Sequence, residues 1–299
     1  MKKLLALALA AIMVVPMFAS CGDTEDTTAA DTTAAETVEG EVTPAAAVVK
    51  VVDIDLTEEE YAFGVDKDQP ELLEKVNAFI AKIQNDGTFD EICNNYFGDG
   101  EPVAVASAEL DTTKDQLVVA TNAAFEPFEY KLGDSYYGID MEIAALLAEE
   151  LGMELVISNM EFEAVCLSVG THQCDIAMAG LTIKPEREEY VTFSDSYYSA
   201  SQKVIVKADD TAFDGCADKA AVEAVLAGLD ANTKIGVQNG TTGKFYVEGD
   251  EEWGFDGYDV TCVGYTNGSL AVQDLINGNI NYVIIDSAPA DAIVAAYNG

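Results

Sequence analysis

The sequence predicts an α/β protein with room for two lobes, and three observations carry that prediction. From residue 116 onward, short apolar runs alternate with amphipathic segments of helical spacing, the pattern of strands joined by helical crossovers into parallel sheets covered on both faces. Hydrophobic residues make up 49% of the chain, with 13 Tyr and 12 Phe among them, which is ample for a core in spite of a formal net charge of -39. The 299 residues suit one large domain or two lobes of about 100 residues each.

The N-terminus reads as a targeting segment. Lys2 and Lys3 precede an apolar run from Leu4 to Phe18 that ends in Ala19-Ser20-Cys21, shorter than the roughly 20 helical residues that cross a bilayer. Residues 1–20 are therefore expected to be a signal peptide. Residues 21–46 are mostly Asp, Glu, Thr and Ala; they bury little apolar surface and repel one another, so an extended acidic tether is expected. Val48 to Asp55 and Tyr61 to Val65 read as strands, and Pro70 to Asp86 as an amphipathic helix. Leu117–Ala120 is a strand, residues 139–151 a helix with Gly152 as its cap, and residues 155–157 and 176–179 two further strands. Pro185 opens a helical turn that holds Arg187. A second set begins at Lys203–Val206, followed by helices at 217–229, 269–277 and 287–297 and strands at 234–237, 260–265 and 282–285.

Charge limits the chemistry. With 54 acids against 15 bases, nucleic acid is not an expected partner, because phosphate binding needs clustered Lys and Arg. An anionic membrane surface is excluded for the same reason. His172 is the one histidine, so a site needing two imidazoles cannot be built; no metal and no cofactor are expected. Arg187 is the one arginine, hence the one group able to grip a carboxylate with a planar fork. Cys93, Cys166, Cys174, Cys216 and Cys262 follow no metal spacing and read mostly as small buried hydrophobes, with Cys166 and Cys174 as the one pair close enough in sequence to suggest a bridge. In parallel sheets ligands sit beyond the carboxyl ends of strands. Gly180-Leu181-Thr182, Gln238 to Thr242 and Asp286-Ser287 occupy that position. The middle segment lacks the Gly and Lys spacing of a nucleotide phosphate loop.

Residues 116–299 resemble the solute-binding proteins of polar amino-acid ABC importers (bacterial extracellular solute-binding protein family 3). The resemblance is carried by Ala120 to Tyr130, Tyr137 to Glu142, Ala179 to Arg187, Phe193 to Tyr198 and Ile284 to Ser287. It implies a two-lobed periplasmic-binding-protein-like (Venus flytrap) fold. The family's closing strand, return strand and last two helices do not follow residue 286; matching segments stand at residues 47–98, ending in Tyr96-Phe97-Gly98. The chain is thus expected to be a circular permutant. Residues 47–57 and 204–299 would form lobe 2, and residues 58–98 and 116–203 lobe 1. Residues 99–115 would join the family's original ends. Phe18-Ala19-Ser20-Cys21 resembles a bacterial lipoprotein signal, with Cys21 as the lipidated residue.

The resemblance also assigns a site. Arg187, helped by Thr182 and Thr242, would hold the ligand carboxylate, and Asp286 with the Gly180 carbonyl would hold its ammonium. Phe125 and Phe162 match two aromatics that sandwich the ligand side chain. Asn122 and Gln238 stand where many relatives carry Asp and Lys, which leaves the side-chain pocket neutral and favours a neutral polar amino acid, glutamine-like, or cystine. Hinges are expected near residues 56–60 and 199–203. The protein would be an extracytoplasmic, lipid-anchored monomer that serves a membrane permease. The competing readings are an enzyme on the same scaffold (dehydratase-like), using Glu126, Glu129 or Glu161 as acid or base, and a ligand-sensing module.

Overall fold

In the computed structural model, which describes residues 47–299, the strands gather into two five-stranded sheets. The signal peptide, the tether and Cys21 lie outside the described residues. The first sheet runs Val191–Phe193, Gly64–Asp66, Ile176–Ala177, Gln116–Thr121, Glu154–Asn159. The second runs Val49–Val52, Gln202–Lys207, Tyr282–Asp286, Lys234–Gln238, Thr261–Tyr265.

Each sheet is mixed, which corrects the expectation of parallel sheets. Three strands in each are parallel neighbours, while Gly64–Asp66 in one and Gln202–Lys207 in the other run antiparallel to both their neighbours, with Val191–Phe193 and Val49–Val52 at the edges beyond them. The parallel strands are linked by helical crossovers. The antiparallel ones enter where the chain passes directly between sheets, and no crossover helix forces their direction. Tyr282–Asp286 is buried along its whole length, as a central strand covered on both faces should be.

The two passages between sheets pair with each other. Glu59–Tyr61 and Tyr198–Ala200 form a two-stranded antiparallel ribbon, at the segments expected to act as hinges. Gln202 already pairs with Asp286, so the second sheet starts two residues before the expected boundary at 204. Segment 99–115 is laid against the first sheet's lobe: Val105 exchanges two backbone hydrogen bonds with Tyr136, and the Ala108 N–H donates to the Leu155 carbonyl.

Local rules account for the helix ends. Pro70 sits in the first turn of Pro70–Asp86, and Gly87 closes that helix with φ +89°. Gly152 closes Ile139–Leu151 with φ +71°. Gly138, before the same helix, has φ +121°, and an added Cβ would lie 2.1 Å from the Phe128 carbonyl oxygen; only glycine fits there. Three features were not foreseen: the helix Phe162–Gly170, the edge strand Val191–Phe193 and the three-stranded sheet of Ala124–Phe125, Glu129–Leu132 and Ser135–Tyr137. Cys166 and Cys174 are buried free thiols rather than a bridge, and Cys93, Cys216 and Cys262 are only half-buried.

Candidate functional site

The parallel strands of both sheets end at one cleft. Ile176–Ala177 leads to Gly180 and Thr182 on one side, and Lys234–Gln238 and Tyr282–Asp286 deliver Gln238 and Asp286 from the other. The cleft holds a small cavity lined by Phe125, Phe162, Gly180, Thr182, Arg187, Gln238, Thr241, Thr242 and Asp286. All but one of the residues that the sequence singled out for the ligand therefore share a wall. Asn122 stands just behind it, its Oδ1 accepting from Gln238 Nε2 at 3.1 Å. Thr241 was missed, although its place before a helix of residues 242–248 marks it as an N-cap.

Arg187 lies in a one-turn 3-10 helix and is 9% exposed. Nη1 donates to the Thr182 carbonyl at 2.6 Å and Nη2 to the Gly240 carbonyl at 3.0 Å, one partner from each lobe. Its guanidinium carbon is 5.2 Å from the centre of the Phe162 ring, within cation–π range. These contacts fix the plane of the fork. Gly180 has φ +53°, and a Cβ there would come within 2.9 Å of the Phe125 ring, so the backbone approaches the aromatic wall only because the side chain is absent.

Asp286 caps the buried strand and is 4% exposed. The Tyr61 hydroxyl, from the ribbon, donates to it at 2.6 Å. Burial first, and the nearby Glu59 carboxylate second, push its carboxyl up to about 7. Glu59 is itself buried and accepts from Thr182 Oγ1 at 2.7 Å, and Thr182 and Thr242 hydroxyls meet across the cleft at 3.5 Å. Ribbon, anion side and cation side of the cavity are thereby joined through hydrogen bonds. Gln238 Oε1 is a buried acceptor without a partner in the protein.

A second cross-lobe contact escaped the sequence reading. Lys184 is 1% exposed; its Nζ pairs with Asp250 and with Glu186, each at 2.9 Å, and stands 3.4 Å from the centre of the Phe245 ring. The available signal was a lone Lys two residues past Thr182 in a chain poor in bases. Lys184→Met should lower stability by about 1–3 kcal/mol, less than for a fully buried pair because Glu186 is exposed. Thermal unfolding of the variant measures this; an unchanged midpoint would show that the pair contributes nothing net.

Away from the cleft, Asp66, Asp68 and His172 bring three donor atoms within 4.8 Å of one another. His172 Nδ1 already pairs with Asp66 Oδ2 at 2.7 Å, which describes an ion pair.

Comparison with known proteins agrees with this architecture. The model of the bacterial extracellular solute-binding proteins, family 3, matches residues 12–99 and 117–286. An arginine-binding extracellular protein of Bacillus subtilis (strain 168) is 37% identical over 99 residues, which span 33% of this chain and 39% of that protein. A putative ABC transporter arginine-binding protein of Escherichia coli (strain K12) is 32% identical over 187 residues, 62% of this chain and 69% of that one. Among solved structures, an ancestral amino acid-binding protein described as a precursor of cyclohexadienyl dehydratase is 30% identical, covers 61% of this chain and 75% of its own, and superposes with a TM-score of 0.52. With the family model matched over most of its length, the chain belongs to the bacterial extracellular solute-binding proteins, family 3.

Proposed function

We propose that this protein binds a free polar amino acid between its two lobes and delivers it to the membrane permease of an ABC importer. One observation carries the reading. Arg187, able to grip a carboxylate, and Asp286, able to accept from an ammonium, line the same small cavity from opposite lobes. A ligand touching both stabilises the closed arrangement by its differential affinity for it. Micromolar binding, about 8 kcal/mol, is the expected scale.

The side-chain pocket supports a neutral ligand, glutamine-like, or cystine. The Asn122 and Gln238 amides face each other there, and the unpartnered Gln238 Oε1 asks for a donor. The similar proteins named for arginine make a cationic side chain the competing ligand. A thermal-shift screen against the common amino acids and cystine decides between them: the largest shift with glutamine or cystine supports the neutral pocket, and the largest with arginine overturns it. Saturable binding without turnover is expected, and product formation from the mixed pool would favour an enzyme.

Lipidation at Cys21 would hold this strongly anionic protein to the membrane through acyl chains, at about 0.8 kcal/mol per buried methylene. No helix among the described residues is long and apolar enough to cross a membrane. The reading as a circular permutant draws support from Val49–Val52 and Gly64–Asp66 occupying places in the two sheets of their own chain, and from similar structures covering 61% of the chain, about the share made up by residues 116–299. Light scattering on the tether-free protein should return a monomer. An obligate dimer would favour exchange of residues 47–98 between chains.

A further inference from the structure

Asp286 is a buried carboxylate that no basic side chain meets: none of the ion pairs among the described residues includes it. The titratable groups around it are acidic or phenolic, and the Gln202 amide adds a neutral hydrogen bond. From the ribbon strand come Tyr61, bonded to Asp286, and, two residues earlier on the same face, Glu59, which accepts from Thr57, Thr182 and Gln202. From the small sheet comes Glu129, fully buried, with neither carboxyl oxygen partnered. Beyond it stands Asp140, fully buried, which accepts from the Gly180 N–H and the Tyr197 hydroxyl.

Arg187 and Lys203 are engaged elsewhere. Arg187, across the cavity, gives its two Nη groups to carbonyls of Thr182 and Gly240. Lys203, in register with Ile285 rather than Asp286, pairs with Asp53. Water cannot offset the charge, because Asp286 is 4% exposed. An ionised carboxylate in such a place, facing a second one, is costly. A proton is the simplest compensation, and a ligand ammonium displaces the need for it.

We infer that Asp286 holds a proton in the free protein and releases it to solvent when a ligand ammonium arrives, so that amino-acid uptake by the cleft is coupled to the loss of one proton. This rests on the amino-acid-binding reading above. The step balances: the Asp286 carboxylic acid loses its proton to buffer, and the resulting carboxylate accepts hydrogen bonds from the incoming ammonium. Glu129 plays a different part. Burial, then the charges of Asp140 and Asp286, hold its carboxyl well above the usual range, and it does not line the cavity.

Titration calorimetry on the wild-type protein, with L-glutamine and L-arginine as probes in buffers of differing ionisation enthalpy, tests the coupling. For whichever probe binds, close to one proton should be released per ligand at pH 6 and only about 0.1 at pH 8, with affinity about tenfold weaker at pH 6. Glu129→Gln should leave the proton count unchanged. Binding whose heat is independent of buffer at pH 6 would overturn the coupling while leaving the amino-acid reading intact. A proton count that falls in Glu129→Gln would overturn the assignment to Asp286. Absence of binding by these and all other common amino acids would remove the parent reading itself.

Discussion

Arg187→Ala is expected to abolish the calorimetric signal of amino-acid binding at micromolar ligand. The guanidinium is the one planar fork in the chain, it lines the cavity, and its orientation is fixed by the Thr182 and Gly240 carbonyls and by the Phe162 ring. Two charge-assisted hydrogen bonds to a ligand carboxylate contribute about 4 kcal/mol together, so their loss weakens affinity on the order of a thousandfold. Arg187→Lys keeps a charge but not the fork and should recover only a small part of the loss. Both carbonyls lose a donor in the Ala variant, which costs about 1–3 kcal/mol of stability; circular dichroism and an unfolding curve separate that effect from loss of the site. Micromolar binding by a folded Arg187→Ala protein would refute the assignment.

The second large effect has two signs. Asp286→Asn should weaken ligand binding by about ten- to a hundredfold, through loss of the charged acceptor for the ammonium, and should at the same time stabilise the free protein near pH 8. A carboxyl raised in the folded state binds its proton more tightly there than in the unfolded chain. Its contribution to stability is then undiminished below the ordinary carboxylate range near pH 4 and declines as pH rises toward the folded value of about 7. At pH 8 the native protein bears the whole cost, on the order of 4 kcal/mol for a shift of that size. The amide removes it and still accepts from Tyr61, so the unfolding midpoint should rise by several degrees at pH 8 and change little at pH 4. Unfolding curves at both pH values and calorimetry at one check the pair of claims. A variant less stable than wild type at pH 8 would show that Asp286 is not a charged liability, and a site tuned for function at some cost in stability is the general expectation.

Much of the fold was legible because each element met a local rule. The Gly87 and Gly152 stops, Pro70 in a first helical turn and the all-apolar strand ending at Asp286 needed no knowledge of neighbours. Strand direction was different. Gly64–Asp66 reads as a strand in any sheet, and only its entry by direct passage from the other lobe makes it antiparallel. The Phe162–Gly170 helix was obscured because Phe162 reads as a pocket aromatic and the apolar residues that follow lack a clear polar face. It serves both roles, its first residue lining the cavity and the rest packing on the first sheet.

The site divides in the same way. A scarcity of bases made Arg187 stand out, and the apolar strand made Asp286 stand out, while their proposed roles as the two charged ends came from the family resemblance. Which carboxylates surround Asp286 was beyond sequence. Glu59, Glu129 and Asp140 are three of 54 acids, separated by long stretches of chain, and nothing in their local spacing tells a buried acid from a solvated one. The same holds for Lys184, whose partners Asp250 and Phe245 lie in the other lobe. Sequence determines which groups exist and which element carries them, because backbone preferences and hydrophobic period act over a few residues. Tertiary structure decides which charges share a dry cavity, because desolvation depends on what packs around a group and not on its neighbours along the chain.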